Sequence, residues 1–307
     1  MASMTYYAFD VAMVTLGIAF ILFCVHTTLL AAGRRQTATA ATTAGTTTTT
    51  TVTVPESGTT STSAGNMAQV FTWTSFILVG IGLLIRAYLV GRGPWGNLYE
   101  FATAFSFGVV GGYLALERRF PIRALGALPL GVALGLFLYS ATLPKEIEPL
   151  VPALQNPPLL TIHVGLAMIS YGIFAMSFAA GLAYLVQEKR TADGRTVDRY
   201  AWLPTREVLD AVAWRAVIVG FPLFATMIVL GSWWASVAWS RYWGWDPKET
   251  SALVTWLVYA VYLHLRNQKG WRCRPAALVL VVGFGMVLFT LFGNLWFAGL
   301  HSYSGLS

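Results

Sequence analysis

Long apolar runs separated by short polar clusters dominate this chain. They fall at about 11–32, 67–90, 101–116, 124–143, 159–186, 211–230, 250–265 and 275–300. Several reach about 20 residues, the length of helix needed to cross a hydrocarbon core of ~30 Å. The pattern predicts an all-α, polytopic integral membrane helix bundle of about eight transmembrane helices. The breaks carry stop signals, among them Gly33-Arg34-Arg35, Glu117-Arg118-Arg119 and Pro144-Lys145, and Pro275 suits the first turn of the last helix. The first run follows no positively charged leader segment and is too long for a signal-peptide core, so it reads as a retained span. Between about Gln36 and Asn66 the pattern disappears into a Thr/Ala/Ser-rich tract with a single charge, Glu56. Too little there is apolar to build a core, which predicts a disordered linker. The expected organisation is an N-terminal transmembrane helix (1–35), a linker (36–66) and a transmembrane domain (67–307) with an external tryptophan-rich loop at 231–249.

Composition agrees with the pattern. Residues of the hydrophobic set make up 56% and charged residues 11%, against about 25% charged in soluble domains. The formal charge of +7 could suggest nucleic acid, but its distribution argues otherwise. Numbering the loops through eight spans places fourteen Lys and Arg in one alternating set, at 34–35, 118–123, 189–206 and 266–274. The other set holds four, Arg92, Lys145, Arg241 and Lys248. Such an excess marks the cytoplasmic side. Both termini and the 231–249 loop are therefore expected outside, with the lipid bilayer rather than nucleic acid as partner. Cys24 and Cys273 form no CxxC or CxxCH motif, which excludes a c-type cytochrome or a dithiol oxidoreductase.

One outward stretch stands apart. Five of the twelve tryptophans, Trp233, Trp234, Trp239, Trp243 and Trp245, lie within thirteen residues that end on Asp246-Pro247-Lys248-Glu249. An aromatic belt at the membrane interface accounts comfortably for Trp73, Trp95, Trp202 or Trp271. It does not account for Trp239, Trp243 and Trp245 beside Arg241, Asp246 and Lys248. The topology puts His163 and His301 at the same outer level, and His264 and His26 toward the inner one. A lone histidine near an interface is ordinarily a satisfied polar residue, but ionisable groups in a membrane are costly and mark functional sites. Two imidazoles flanking an aromatic surface are a coherent axial pair for haem iron. Indole rings can stack on a porphyrin, and Arg241 and Lys248 can pair with its propionates. No side chain reads as a covalent nucleophile.

At these residues the sequence resembles a known family. Trp239-Ser-Arg-Tyr-Trp-Gly-Trp-Asp-Pro-Lys-Glu-Thr250 is similar to the tryptophan-rich (WWD) signature of the haem-handling proteins of cytochrome c maturation. The ending Trp-Asp-Pro-Lys-Glu looks like the CcsA (ResC) branch of system II. Asn97-Leu-Tyr-Glu100, Pro149 to Gln155 with Ile162-His163-Val164, and Gly299 to Gly305 resemble further family segments. The likeness runs from about residue 67 to the end. Two positions depart from it: Ser240 stands where the family usually has glycine, and Ser251 where a tryptophan often follows. The resemblance implies His163 and His301 as ligands of haem b at an external site, and His264 as a ligand at an inner one. The second inner ligand would come from a CcsB (ResB)-like membrane partner; topology alone offers His26 instead. It further implies a haem-delivering subunit of a bacterial plasma-membrane cytochrome c synthetase, a haem lyase joining haem vinyl groups to the CxxCH thiols of apocytochrome c. Two readings stand beside it: a haem exporter or chaperone without ligation, and a b-type electron-transfer subunit.

Overall fold

The computed structural model describes residues 2–43, 62–147, 157–192, 202–266, 268, 274–293, 296–297 and 299–301. All regular structure among them is helical. The helices are α1 (Ala2–Thr43), α2 (Ser63–Val90), α3 (Leu98–Glu117), α4 (Ala127–Ala141), α5 (Pro157–Ala192), α6 (Arg206–Trp239), α7 (Pro247–Arg266) and α8 (Arg274–Phe292), with a 3₁₀ turn at Arg123–Leu125. Among the described residues six helical segments are long and apolar enough to cross a membrane: α1, α2, α4 together with the 3₁₀ turn before it (Arg123–Ala141), α5, α6 and α8. The chain is a polytopic helical membrane protein.

The two remaining helices explain their own polarity. α3 carries Glu100 and Glu117 and packs against α2, α4 and α5, so most of its first three turns are buried in protein rather than facing lipid. α7 begins with Lys248 and Glu249 and packs on α6 and α8. Thr255 of α7 meets Thr290 of α8, hydroxyl to hydroxyl, at 3.1 Å.

α5 is the hub, packing on α3, α4, α6 and α8, while α1 pairs with α2 and also touches α4. The α3–α5 crossing brings backbones together. A Cβ on Gly108 would lie 2.5 Å from the Met168 carbonyl oxygen, and one on Gly172 would lie 2.2 Å from the Gly108 oxygen. Small residues permit such close crossings between membrane helices, where dispersion replaces the hydrophobic effect as the attraction. Hydroxyls stitch neighbouring pairs: Ser75 donates to the Ala12 carbonyl at 2.9 Å and Ser106 to the Ala133 carbonyl at 2.9 Å.

Four expected boundaries shift. α1 continues to Thr43 and α2 starts at Ser63, so both ends of the expected linker are helical; its centre, 44–61, lies outside the described residues. α6 continues past Leu230 to Trp239, which leaves only 240–246 of the expected 231–249 loop outside helices. The helix stops where Ser240 takes a left-handed conformation, φ 56°. Lastly, α8 ends at Phe292 rather than Leu300. The chain turns at Gly293, whose carbonyl accepts from the N–H groups of Trp296 and Phe297, and this turn returns residues 299–301 to the start of α7.

Candidate functional site

At one end of the bundle a cleft opens between the α2–α3 connection, the starts of α5 and α7, and the ends of α6 and α8. It leaves about 1110 Å³ unfilled by protein atoms, its open mouth included. His163, His301, Trp95, Trp234, Trp243 and Lys248 line it among mainly apolar neighbours.

The two histidines are held by different elements in the same chemical form. His163 sits in the second turn of α5, and its Nδ1 donates to the carbonyl of Met227 on α6 at 2.8 Å. A carbonyl can only accept, so the neutral ring carries its proton on Nδ1 and its lone pair on Nε2. Gly231 makes room for this ring: a Cβ there would fall 2.6 Å from His163 Cε1. His301 reaches its place through the turn after α8, and its Nδ1 faces Asp246 Oδ1 at 2.8 Å. Here too the acceptor places the proton on Nδ1 and the lone pair on Nε2. Burial lowers the His301 pKa below its ordinary 6.5, and the Asp246 hydrogen bond offsets this only in part. The ring is neutral at pH 7, as an imidazole ligand must be.

Asp246 is an anchor. It is buried, 4% exposed, and its carboxylate also accepts from the N–H groups of Lys248 at 2.9 Å and Leu300 at 2.5 Å. Burial alone would raise its pKa, but the bonds from His301, Lys248 and Leu300 outweigh that and hold it at about 2. The same residue begins α7. Asp246 is the N-cap, Pro247 the first helical residue, and Glu249 at N3 reaches back with Oε2 to the N–H groups of Gly244 at 2.8 Å and Asp246 at 3.3 Å. Asp-Pro-x-Glu is thus a capping box with proline at N1. That helix-start signal was present in the sequence, and it binds the helix start and the His301 side chain through one carboxylate.

The tryptophans sort by helix geometry. Trp234 is 2% exposed and lies between the histidines: its ring stacks on His163 at 6.4 Å and 19°, and tilts toward His301 at 5.8 Å. Trp239 stands edge-on to both Trp234 (4.8 Å) and His301 (5.0 Å), bracing them from behind. Trp243 lines the cleft. Trp233, about 100° around the helix from Trp234, is 57% exposed, and Trp245, with φ 55°, is 70% exposed; neither lines the cleft. Arg241 is also exposed and away from it. Lys248 alone of the two expected basic residues reaches the cleft, its Nζ 5.2 Å from the centre of the Phe101 ring. Trp95, which the belt explanation had absorbed, is part of the wall.

The other two histidines are not brought to one another. His26 is 1% exposed, with Nδ1 2.8 Å from the Thr62 hydroxyl at the start of α2. His264 is exposed on α7, with Nε2 2.8 Å from Gln268 Nε2. α1 packs on α2 and α4, whereas α7 packs on α6 and α8. Among the described residues no group of three or more His, Cys, Asp or Glu could enclose a bare metal ion.

Fold and site together define a class: a polytopic helical membrane protein with a two-histidine, tryptophan-lined cleft at one end. Residues 95–301, from one cleft residue to another, match the family described as cytochrome C assembly protein, and the chain belongs to that family. It is 35% identical over 270 residues to the cytochrome c biogenesis protein CcsA of Synechococcus sp. (strain CC9605), covering 79% of this chain and 88% of that one. The CcsA of Synechococcus elongatus is 33% identical (81% and 88% covered), and that of Chlamydomonas reinhardtii 36% (76% and 67%).

Proposed function

We propose that this protein receives haem b within the plasma membrane and presents it at the outer face for attachment to apocytochrome c. The observation that carries the reading is the pair His163 and His301. Both line one cleft, touch Trp234, and are held by Nδ1 so that each ring's lone pair sits on Nε2. Two such nitrogens suit the two axial positions of haem iron, and the donor set of neutral imidazoles, indoles and one ammonium fits a flat apolar macrocycle with carboxylate edges. His163 and His301 bind the iron, Trp234 and Trp243 pack on the ring, and Lys248 pairs with a propionate. The excess of Lys and Arg in one alternating set of sequence segments supports an outward-facing cleft and termini.

Haem is the substrate here. Its vinyl groups become thioethers with the two thiols of CxxCH in the acceptor, and this chain's contribution to that haem-lyase step is orientation and exclusion of water rather than a nucleophile. His264 is the proposed inner ligand. Its exposure on α7, away from the buried His26, supports a second ligand from a CcsB/ResB-like partner.

The test is spectroscopic. The purified complex is expected to show a low-spin bis-histidine haem signal, and His163→Ala or His301→Ala is expected to abolish it at the external site. Retention of that signal in both variants would refute the assignment.

A further inference from the structure

The starts of α3 and α7 share a local design. Trp95-Gly96 precedes α3, and Trp243-Gly244 closely precedes α7. Both helices open with a capped turn. Asn97 Oδ1 accepts from Glu100 N at 2.9 Å, and Asp246 Oδ1 accepts from Lys248 N at 2.9 Å. In both, the glutamate at N3 reaches back to the glycine after the tryptophan: Gly96 N to Glu100 Oε2 at 2.6 Å, and Gly244 N to Glu249 Oε2 at 2.8 Å. A carboxylate that ties the helix start to the preceding glycine fixes where the adjacent tryptophan stands. Both tryptophans line the cleft. The two helix starts also meet directly, through Lys248 over Phe101.

The α3 side is the more heavily anchored. Glu100 is 1% exposed and also receives Arg86 Nε at 2.6 Å and Arg92 Nη1 at 3.2 Å. Arg86 is fully buried, donates to the Lys145 carbonyl at 2.9 Å, and lies near the rings of Tyr99 and Tyr6. Burying an ion pair in the membrane region brings little net stability after desolvation, but removing one partner is costly. Its return here is rigidity in the loop that carries Trp95, which the carboxylate grips at Gly96 and Arg92.

We propose that Trp95 is a further binding face of the cleft, the counterpart of Trp243, and that Glu100 is its positioning residue as Glu249 is for Trp243. The inference rests on the haem reading and deepens it. Trp95 packs on the macrocycle from the α2–α3 side, and Glu100 acts only through Trp95.

The experiment is a titration of the full-length, detergent-solubilised chain with ferric protoporphyrin IX, read at the Soret band. Trp95→Leu is expected to weaken binding about 3- to 10-fold, the range for loss of one aromatic packing partner, with the bis-histidine spectrum kept. Trp95→Phe should restore most of it. Trp73→Leu, a tryptophan remote from the cleft on α2, should match wild type. Glu100→Gln should weaken binding comparably, and the Trp95→Leu/Glu100→Gln double variant should bind no more weakly than the worse single one, because coupled residues are not additive. If Glu100→Gln does not fold, Arg92→Gln replaces it in the cycle. A Trp95→Leu variant indistinguishable from Trp73→Leu overturns the inference alone, and full additivity overturns the positioning role of Glu100. A wild-type chain that takes up no haem overturns the haem reading and this inference together.

Discussion

The role of Asp246 can be tested with a single-atom change. In Asp246→Asn one carboxylate oxygen becomes an NH₂ group. Three donors now converge on the carboxylate, His301 Nδ1 at 2.8 Å, Leu300 N at 2.5 Å and Lys248 N at 2.9 Å, and an amide has one oxygen for them. At least one donor is left facing another donor. Losing one hydrogen bond to a charged, buried acceptor costs about 1.5–3 kcal/mol. The carboxyl pKa, held at about 2 by these bonds, points in the same direction. The sign follows from the depressed value. This stabilisation is fully present above about pH 4 and is lost as pH falls toward 2, so at neutral pH the variant should show all of it as a lower Tm. The second effect is chemical. If the amide presents its NH₂ to His301, the ring turns acceptor at Nδ1 and carries its proton on Nε2, where iron would bind. Loss of such an outer-shell carboxylate typically costs 10–100-fold in metal affinity, and that is the expected loss of haem affinity by Soret titration. An Asp246→Asn protein that folds normally and binds haem with wild-type affinity would refute the proposition that Asp246 sets the His301 tautomer.

Three further outcomes follow from the geometry. Gly231→Ala puts a methyl 2.6 Å from His163 Cε1; it should leave the fold assembled but displace the ring, with at least a 10-fold loss of external haem binding in the same titration. Ser240→Gly should raise stability by roughly 1 kcal/mol in thermal unfolding, because a left-handed φ of 56° costs a side-chain-bearing residue about that much. Haem affinity should decline as pH falls below 6.5, and also toward pH 8, where burial brings the Lys248 pKa down to about 8 and the charge that pairs with a propionate is lost. The His301 pKa is lowered, so the ring stays neutral through 6.5, and protons compete for Nε2 only below that; a spectroscopic titration between pH 5 and 8 checks the direction.

Much of this architecture was legible in the order of residues. Apolar run length marked all eight helices, and α3 and α7 were found although their termini carry charge. The left-handed φ at Ser240 supplies a reason for the glycine usual at that family position: the helix ends there in the conformation glycine adopts most easily. Other features were legible but passed over. Asp246-Pro247-x-Glu249 and Asn97-x-x-Glu100 are helix-start signals, and reading them would have placed 240–246 as the true loop. Three residues expected at the site stand outside the cleft for one reason. Trp233, Trp245 and Arg241 lie close to the cleft residues in sequence, but successive helical residues diverge by about 100° and a left-handed turn redirects the next side chain. In sequence, a wall residue such as Trp95 and an interfacial tryptophan look alike.

The amino-acid sequence by itself determined the solvent and the inventory. Its apolar runs are too long and uncharged for water, which imposes helices that satisfy their own backbone hydrogen bonds. Its alternating apolar and basic segments predict one end for His163, His301 and the tryptophan-rich stretch. Only tertiary structure decided which of those residues face a common space and in what protonation. The turn after α8 returns His301 to Asp246, Gly231 lets His163 reach the Met227 carbonyl, and Glu100 ties the Trp95 loop down from α3. These are contacts between residues 55, 64 and 4 positions apart, made by packing and capping geometry that a hydropathy pattern does not encode.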